Sequence, residues 1–212
     1  MAASGPARIG LIGGSFDPVH QAHLALGQVA AAHLGLTELR WIPVGHAWQK
    51  ARQLAPAAHR LAMLRAALQA PLPGATRQLI DDCEIRRDGP SYTLDTLREV
   101  QVAHPEAELV LIIGQDQYAG LPTWHGWREI VQLVTLAVAA RAGQAVRPGP
   151  ELAAVPHRLV TLPLPALAVS STDIRARLGR GEPAASLVPA LLPATVASYI
   201  ESHHLYAEGN AH

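Results

Sequence analysis

Cysteine is nearly absent from this 212-residue chain: Cys83 stands alone. A lone thiol excludes an internal disulfide framework and a cysteine-only zinc site, and it fits a reducing compartment, for which the cytoplasm is the default. Charge of one sign is lacking as well. Lys plus Arg number 17 and Asp plus Glu number 17. No basic field of the kind that holds a polyanionic nucleic acid is therefore expected, and any phosphate chemistry must be local. Long apolar runs are missing too. Leu133 to Ala140 is far too short to span a bilayer, and Met1 to Arg8 has no apolar core behind a basic start, so neither export nor membrane contact is expected. Lysine occurs once, at Lys50, and phenylalanine once, at Phe16. In a chain that uses Arg for most cations, a lone Lys is a candidate for a task that needs a compact ammonium.

What is present is apolar and alternating. The hydrophobic fraction of 49% over 212 residues suffices for a sizeable core and fits one α/β domain. Ile9 to Ile12 reads as a short buried strand broken by Gly13 and Gly14, with Asp17 and Pro18 as N-cap and first residue of a helix running to about Leu34. Glu38 to Val44 reads as a second strand, and Leu61, Leu64 and Leu68 recur at helical spacing. Gln78 to Ile85 (strand), Thr93 to Ala103 (helix), Leu109 to Ile113 (strand), Gly126 to Val134 (helix) and Thr135 to Ala140 (strand) continue the alternation. Ala142 to Pro156 is Gly/Pro-rich and reads as a loop, before a last strand at Arg158 to Leu162 and helices at Ser170 to Leu178 and Pro193 to His203. The expected architecture is α/β: a doubly wound, Rossmann-like parallel sheet with helices on both faces and a short C-terminal helical segment. Ligands of such sheets bind beyond the carboxyl ends of the strands. Nothing in the sequence specifies an oligomeric state.

The first strand opens into Gly13, Gly14, Ser15, Phe16, Asp17, Pro18, Val19, His20, Gln21, Ala22 and His23. Glycines here let backbone amides approach a phosphate, and a helix N-terminus adds unpaired donors and partial positive charge. His20 and His23, three apart, share a helical face and can donate to a phosphate whose charge grows during reaction. Taken alone, the same residues also suit a common turn with a metal half-site or two surface histidines. Farther along, Ser170, Ser171, Thr172, Asp173, Ile174 and Arg175 combine hydroxyls at a helix start with an arginine one turn on. That pattern makes either a second phosphate grip or an ordinary capped helix.

Together these stretches resemble the GGxFDPxHxGH and ISSTxIR signatures of HxGH nucleotidyltransferases, specifically the bacterial nicotinate-nucleotide adenylyltransferase family, with Ala22 and Val169 as departures. The likeness continues through Ser91 to Leu97 (SYTLDTL), Ile113 to Asp116 (IGQD) and Leu121 to Trp124 (LPTW). The resemblance implies adenylyl transfer from ATP to nicotinate mononucleotide, giving deamido-NAD and pyrophosphate. It implies stabilisation of the phosphates by His20, His23, Lys50 and Arg175. ATP is expected on Gly13, Gly14, Ser15, Phe16, Gly114, Asp116, Ser171, Thr172 and Arg175. The mononucleotide is expected on Lys50, Tyr92, Thr93 and Trp124, the indole stacking on the pyridine ring. Trp124 reads alternatively as a core residue, and Trp41, Trp48 and Trp127 show that indoles are not reserved for one place. Mg²⁺ is expected on the substrate phosphates rather than in a protein cage. Where the family commonly reads Pro-Pro-His-Lys, this chain has Ala47, Trp48, Gln49 and Lys50, so only the lysine is kept. Two rivals remain: another superfamily transferase such as pantetheine-phosphate adenylyltransferase, and a catalytically silent module that senses ATP.

Overall fold

The computed structural model describes residues 6–45, 54–141, 145–165 and 167–207. Six strands build one sheet: β1 (Arg8–Gly14), β2 (Glu38–Pro43), β3 (Arg77–Ile80), β4 (Glu108–Gly114), β5 (Thr135–Arg141) and β6 (Arg158–Leu164). They lie in the order β3-β2-β1-β4-β5-β6, every pair parallel. The helices are α1 (Gln21–Leu34), α2 (Ala57–Ala67), α3 (Cys83–Arg86), α4 (Thr93–Ala103), α5 (Gln115–Ala119), α6 (Trp127–Leu133), α7 (Pro150–Ala153), α8 (Ser171–Gly179) and α9 (Ala194–Ser202).

Strand residues alternate between two cores, as the two-residue repeat of a strand requires. Leu109, Leu111 and Ile113 join Ile9, Leu11, Leu136 and Val138 on the face covered by α4 and α6. Val110 and Ile112 join Ile12 and Ala137 on the opposite face, covered by α1, α2, α8 and α9. Burial on both faces explains why these strands read as unbroken apolar runs. α1 lies very close to the sheet: a Cβ added at Gly27 would stand 2.6 Å from the buried Trp41 ring. The strand order reverses between β1 and β4. The crevice at their carboxyl ends, where Gly13, Gly14 and Gly114 sit, is where doubly wound sheets bind ligands.

Several boundaries differ from the sequence reading. α1 starts at Gln21 with His20 as its cap, not at Asp17 and Pro18. Phe16 at φ 46 keeps that stretch out of the helix, and the Asp17 carboxylate accepts from the Tyr206 hydroxyl rather than capping. β3 ends at Ile80 instead of Ile85, because Asp81 Oδ1 accepts the Cys83 N–H at 3.1 Å and turns the chain into α3. α4 spans Thr93–Ala103 as the sequence reads, with Tyr92 in its cap position. The 142–156 stretch, read as a loop, contains α7, whose Leu152 is buried in the core. α5 had no periodic signal and was not expected. No helix among the described residues is long and apolar enough to cross a membrane.

Candidate active site

A cavity of about 770 Å³ opens over the carboxyl ends of β1, β2 and β4. At one end it meets the loop after β1. Gly13 lines it, and a Cβ added there would touch nothing within 4 Å, so the backbone is open to a ligand. Beyond Gly14 and Ser15 the loop is fixed from behind. The buried Arg60 of α2 donates to the Ser15 carbonyl at 3.0 Å, and burial lowers the pKa of its guanidinium while the nearby Asp17 charge opposes that shift.

The two histidines form a unit. The His20 N–H donates to His23 Nδ1 at 3.2 Å, and the rings stack with centroids 3.7 Å apart. With Nδ1 accepting, the His23 proton sits on Nε2, where it can be given to a phosphate oxygen. His23 lines the cavity, whereas His20 is buried at 6% exposure, and desolvation pulls its pKa down to about 4. His20 is thus neutral near pH 7 and offers no cation. Phe16 is fully buried, with His23 at 5.1 Å and Trp41 at 6.0 Å in edge-to-face contact. Its side chain supports the histidine instead of lining the cavity.

α8 closes this end. Ser170 caps it, its Oγ accepting the Asp173 N–H at 3.1 Å. Ser171 Oγ donates to the Pro18 carbonyl at 3.0 Å, and Arg175 donates to the Asp17 carbonyl and to Thr172 Oγ1. Ser171, Thr172 and Arg175 all line the cavity. Two motifs more than 150 residues apart therefore meet on one wall, joined by hydrogen bonds.

The other end is built from the α4 start and the turn before α6. Ser91, Tyr92, Thr93, Thr96, Glu84, Trp124 and His125 line it. Tyr92 and His125 lie ring to ring, centroids 4.5 Å apart. Trp124 is half-buried and lines the cavity, while Trp127 and Trp41 are buried in the core. Glu84 accepts from Thr96 Oγ1 at 2.9 Å, and its burial raises the carboxyl pKa against the lowering effect of that bond.

Most expected site residues thus converge. Gly114 closes β4, its N–H taken by Gln117 Oε1 at 2.9 Å; neither Gly114 nor the exposed Asp116 is among the residues lining the cavity, whereas Gln117 is. Ala22 is not among the lining residues either. Lys50, with Ala47, Trp48 and Gln49, falls outside the described residues. Arg60, Glu84, His125 and Tyr206 were not anticipated. Arg60 and Tyr206 carry no local pattern, and Glu84 lay in what reads as a strand. His125 adjoins Trp124 and was the one open to notice.

Residues 11–177 match the cytidylyltransferase-like family. A probable nicotinate-nucleotide adenylyltransferase of Methylibium petroleiphilum is 55% identical over 207 residues, covering 98% of this chain and 96% of the relative. This chain belongs to the nicotinate-nucleotide adenylyltransferase family. A further member, from Albidiferax ferrireducens, is 48% identical over 94% of this chain and 98% of its own length. The nicotinic acid mononucleotide adenylyltransferase of Plasmodium falciparum, solved in complex with NaAD, shares the fold at TM-score 0.76 with 18% identity, covering 94% of this chain and 97% of that one. In this adenylyltransferase of the family, Gly13, His23, Ser171, Thr172 and Arg175 line one end of the cavity and Tyr92, Trp124 and His125 the other.

Proposed function

We infer that this protein transfers the adenylyl group of ATP to the phosphate of nicotinate mononucleotide, giving deamido-NAD and pyrophosphate in NAD biosynthesis. The observation that carries the reading is the placement in one cavity of Gly13, His23, Ser171, Thr172 and Arg175 at one end and Tyr92, Thr93 and Trp124 at the other. The first group suits a polyphosphate, and the second suits a flat aromatic acid.

A phosphate oxygen of the mononucleotide attacks the α-phosphorus of ATP in line. The new P–O bond forms as the bond to the bridging oxygen of pyrophosphate breaks, and pyrophosphate leaves with the electron pair. No covalent enzyme intermediate is needed, so the protein's work is positioning and charge stabilisation. His23, aligned by stacking on His20, donates through Nε2 to the phosphates, while the Gly13 and Gly14 backbone admits them closely. Arg175 and the α8 hydroxyls hold the departing pyrophosphate. Trp124 stacks on the pyridine ring, with Tyr92 and Thr93 at the helix start beside it. Lys50 is assigned a point charge on the phosphates, and Gly114 and Asp116 the adenosine side of ATP.

Among the described residues there is no group of three or more His, Cys, Asp or Glu that could hold a metal. Mg²⁺ is proposed to be carried on ATP, with ligands from phosphate oxygens and water. Bound there, the ion would neutralise phosphate charge during transfer. The compartment proposed is the cytoplasm.

Pyrophosphate release with ATP and Mg²⁺ tests the reading, comparing nicotinate mononucleotide, nicotinamide mononucleotide and phosphopantetheine as acceptors. Preference for the first is expected. Release with phosphopantetheine alone moves the protein to the rival transferase class, and ATP binding with no release in any case points to a sensing module.

A further inference from the structure

The C-terminal end of the described chain reaches the signature loop through one phenol. α9 ends in a Schellman arrangement: the His204 N–H donates to the Glu201 carbonyl at 3.2 Å and the Leu205 N–H to the Ile200 carbonyl at 3.0 Å, with Leu205 buried in the core beneath. His204 holds the left-handed position at φ 49, where glycine is usual, and Tyr206 follows at φ 66. Two non-glycine residues in that region within one turn are strained, and such strain persists where surrounding contacts over-determine it. The contact in question is a hydrogen bond of 2.7 Å from the Tyr206 hydroxyl to Asp17 Oδ1.

Asp17 is fully buried, so its carboxylate depends on donors supplied by the protein. Its own carbonyl accepts from Arg175, and the preceding Ser15 carbonyl accepts from Arg60. The loop between β1 and α1 is therefore gripped by α2, α8 and the turn after α9, and none of these contacts is local in sequence.

We propose that Tyr206 is a positioning residue for ATP: by holding the Asp17 carboxylate, its hydroxyl keeps the Asp17 carbonyl where it orients the Arg175 guanidinium on the cavity wall. Tyr206 touches no substrate and acts through Arg175. The proposal rests on the reading of that wall as the polyphosphate site.

The test is a double-mutant cycle of Y206F and R175A, read by calorimetric affinity for the α,β-methylene analogue of ATP with Mg²⁺, with thermal midpoints recorded alongside. Y206F removes one oxygen and keeps the ring. It is expected to weaken the analogue roughly tenfold, as loss of a hydrogen bond to a buried charged group does. Affinity for nicotinate mononucleotide is expected to stay within about twofold, and in the R175A background the same change is expected to alter analogue affinity by less than about twofold. An equal loss in both backgrounds, or a lowered midpoint with analogue affinity unchanged, overturns the proposal and leaves Tyr206 a purely structural residue. D17N reads the same link from its other side and carries the cycle if Y206F does not fold, with the same two outcomes deciding. A wild type that binds the analogue yet releases no pyrophosphate with any acceptor sinks the functional reading while this cycle still supports or overturns the proposal.

Discussion

The two ends of the cavity are built by different means. At the end proposed for ATP, backbone carbonyls of Ser15, Asp17 and Pro18 are each held by a side chain from a distant element, and the His20 and His23 rings are locked by stacking and a hydrogen bond. At the end proposed for the mononucleotide, the walls are aromatic faces, Trp124 and the Tyr92–His125 pair, over a buried Glu84–Thr96 bond. The first end fixes donors in advance where charge develops, which is how electrostatic stabilisation avoids reorganisation during reaction. On the proposed assignment the second end would recognise a ring by area and shape, which tolerates looser placement. Disturbing the first should therefore reduce turnover, whereas disturbing the second should weaken acceptor binding.

The largest expected effect is on His23. His23→Ala should lower kcat by roughly 10²–10³-fold, the magnitude typical of losing one preorganised donor, with the thermal midpoint little changed. Steady-state rates alongside circular dichroism check this, and a variant that keeps wild-type turnover would remove the histidine pair from the chemistry.

Acid should act on the ATP end first. Burial depresses the His20 pKa to about 4 from its ordinary 6.5, so the folded state binds fewer protons than the unfolded one as pH falls between those values. Stability is then full above about 6.5 and declines toward about 4, by at most about 3 kcal/mol from this residue. Urea unfolding at a series of pH values should show the decline, and His20→Gln should flatten it.

Next come two variants that divide the ends between substrates. Arg175→Ala should raise KM for ATP roughly tenfold or more, by loss of charge-assisted bonds to phosphate. Trp124→Ala should raise KM for nicotinate mononucleotide by about tenfold, the scale of one base–aromatic stack, and leave KM for ATP near its original value. Crossed effects would mean that the ends are assigned the wrong way round.

The smallest effect is at Glu84. Its carboxyl pKa is raised by burial, so the folded state favours the proton. Its contribution is favourable at low pH and is lost as pH rises through the folded value. Glu84→Gln keeps an acceptor for the Thr96 hydroxyl and removes the buried charge, so it should stabilise the unliganded protein near pH 7 by on the order of 1 kcal/mol and fade at pH 4. Paired melts at the two pH values test this, and the pH trend should run opposite to that of His20.

The contrast between the ends also explains what could be read from the sequence. Gly13 to His23 and Ser170 to Arg175 are contiguous because adjacent backbone amides and a helix start need adjacent residues, and strands buried on both faces announce themselves as apolar runs. Trp124 is singled out in the sequence by its place in the LPTW motif, and the structure adds that it lines the cavity while Trp127 is buried in the core. The start of α1 was misplaced because Asp17 has the composition of a cap, while its carboxylate serves Tyr206, 189 positions away. The same holds for Arg60, whose bond to Ser15 spans 45 positions and leaves no local pattern. Long-range contacts that fix a loop from behind are invisible to periodicity and motif spacing.

The most direct test of the division of labour is a crystal structure with deamido-NAD bound. The account predicts the pyridine ring stacked on Trp124, and the adenylyl phosphate over the Gly13–Gly14 backbone within hydrogen-bond reach of His23. A pyridine ring bound away from Trp124, or the adenylyl phosphate lying at the Tyr92 end, would contradict it.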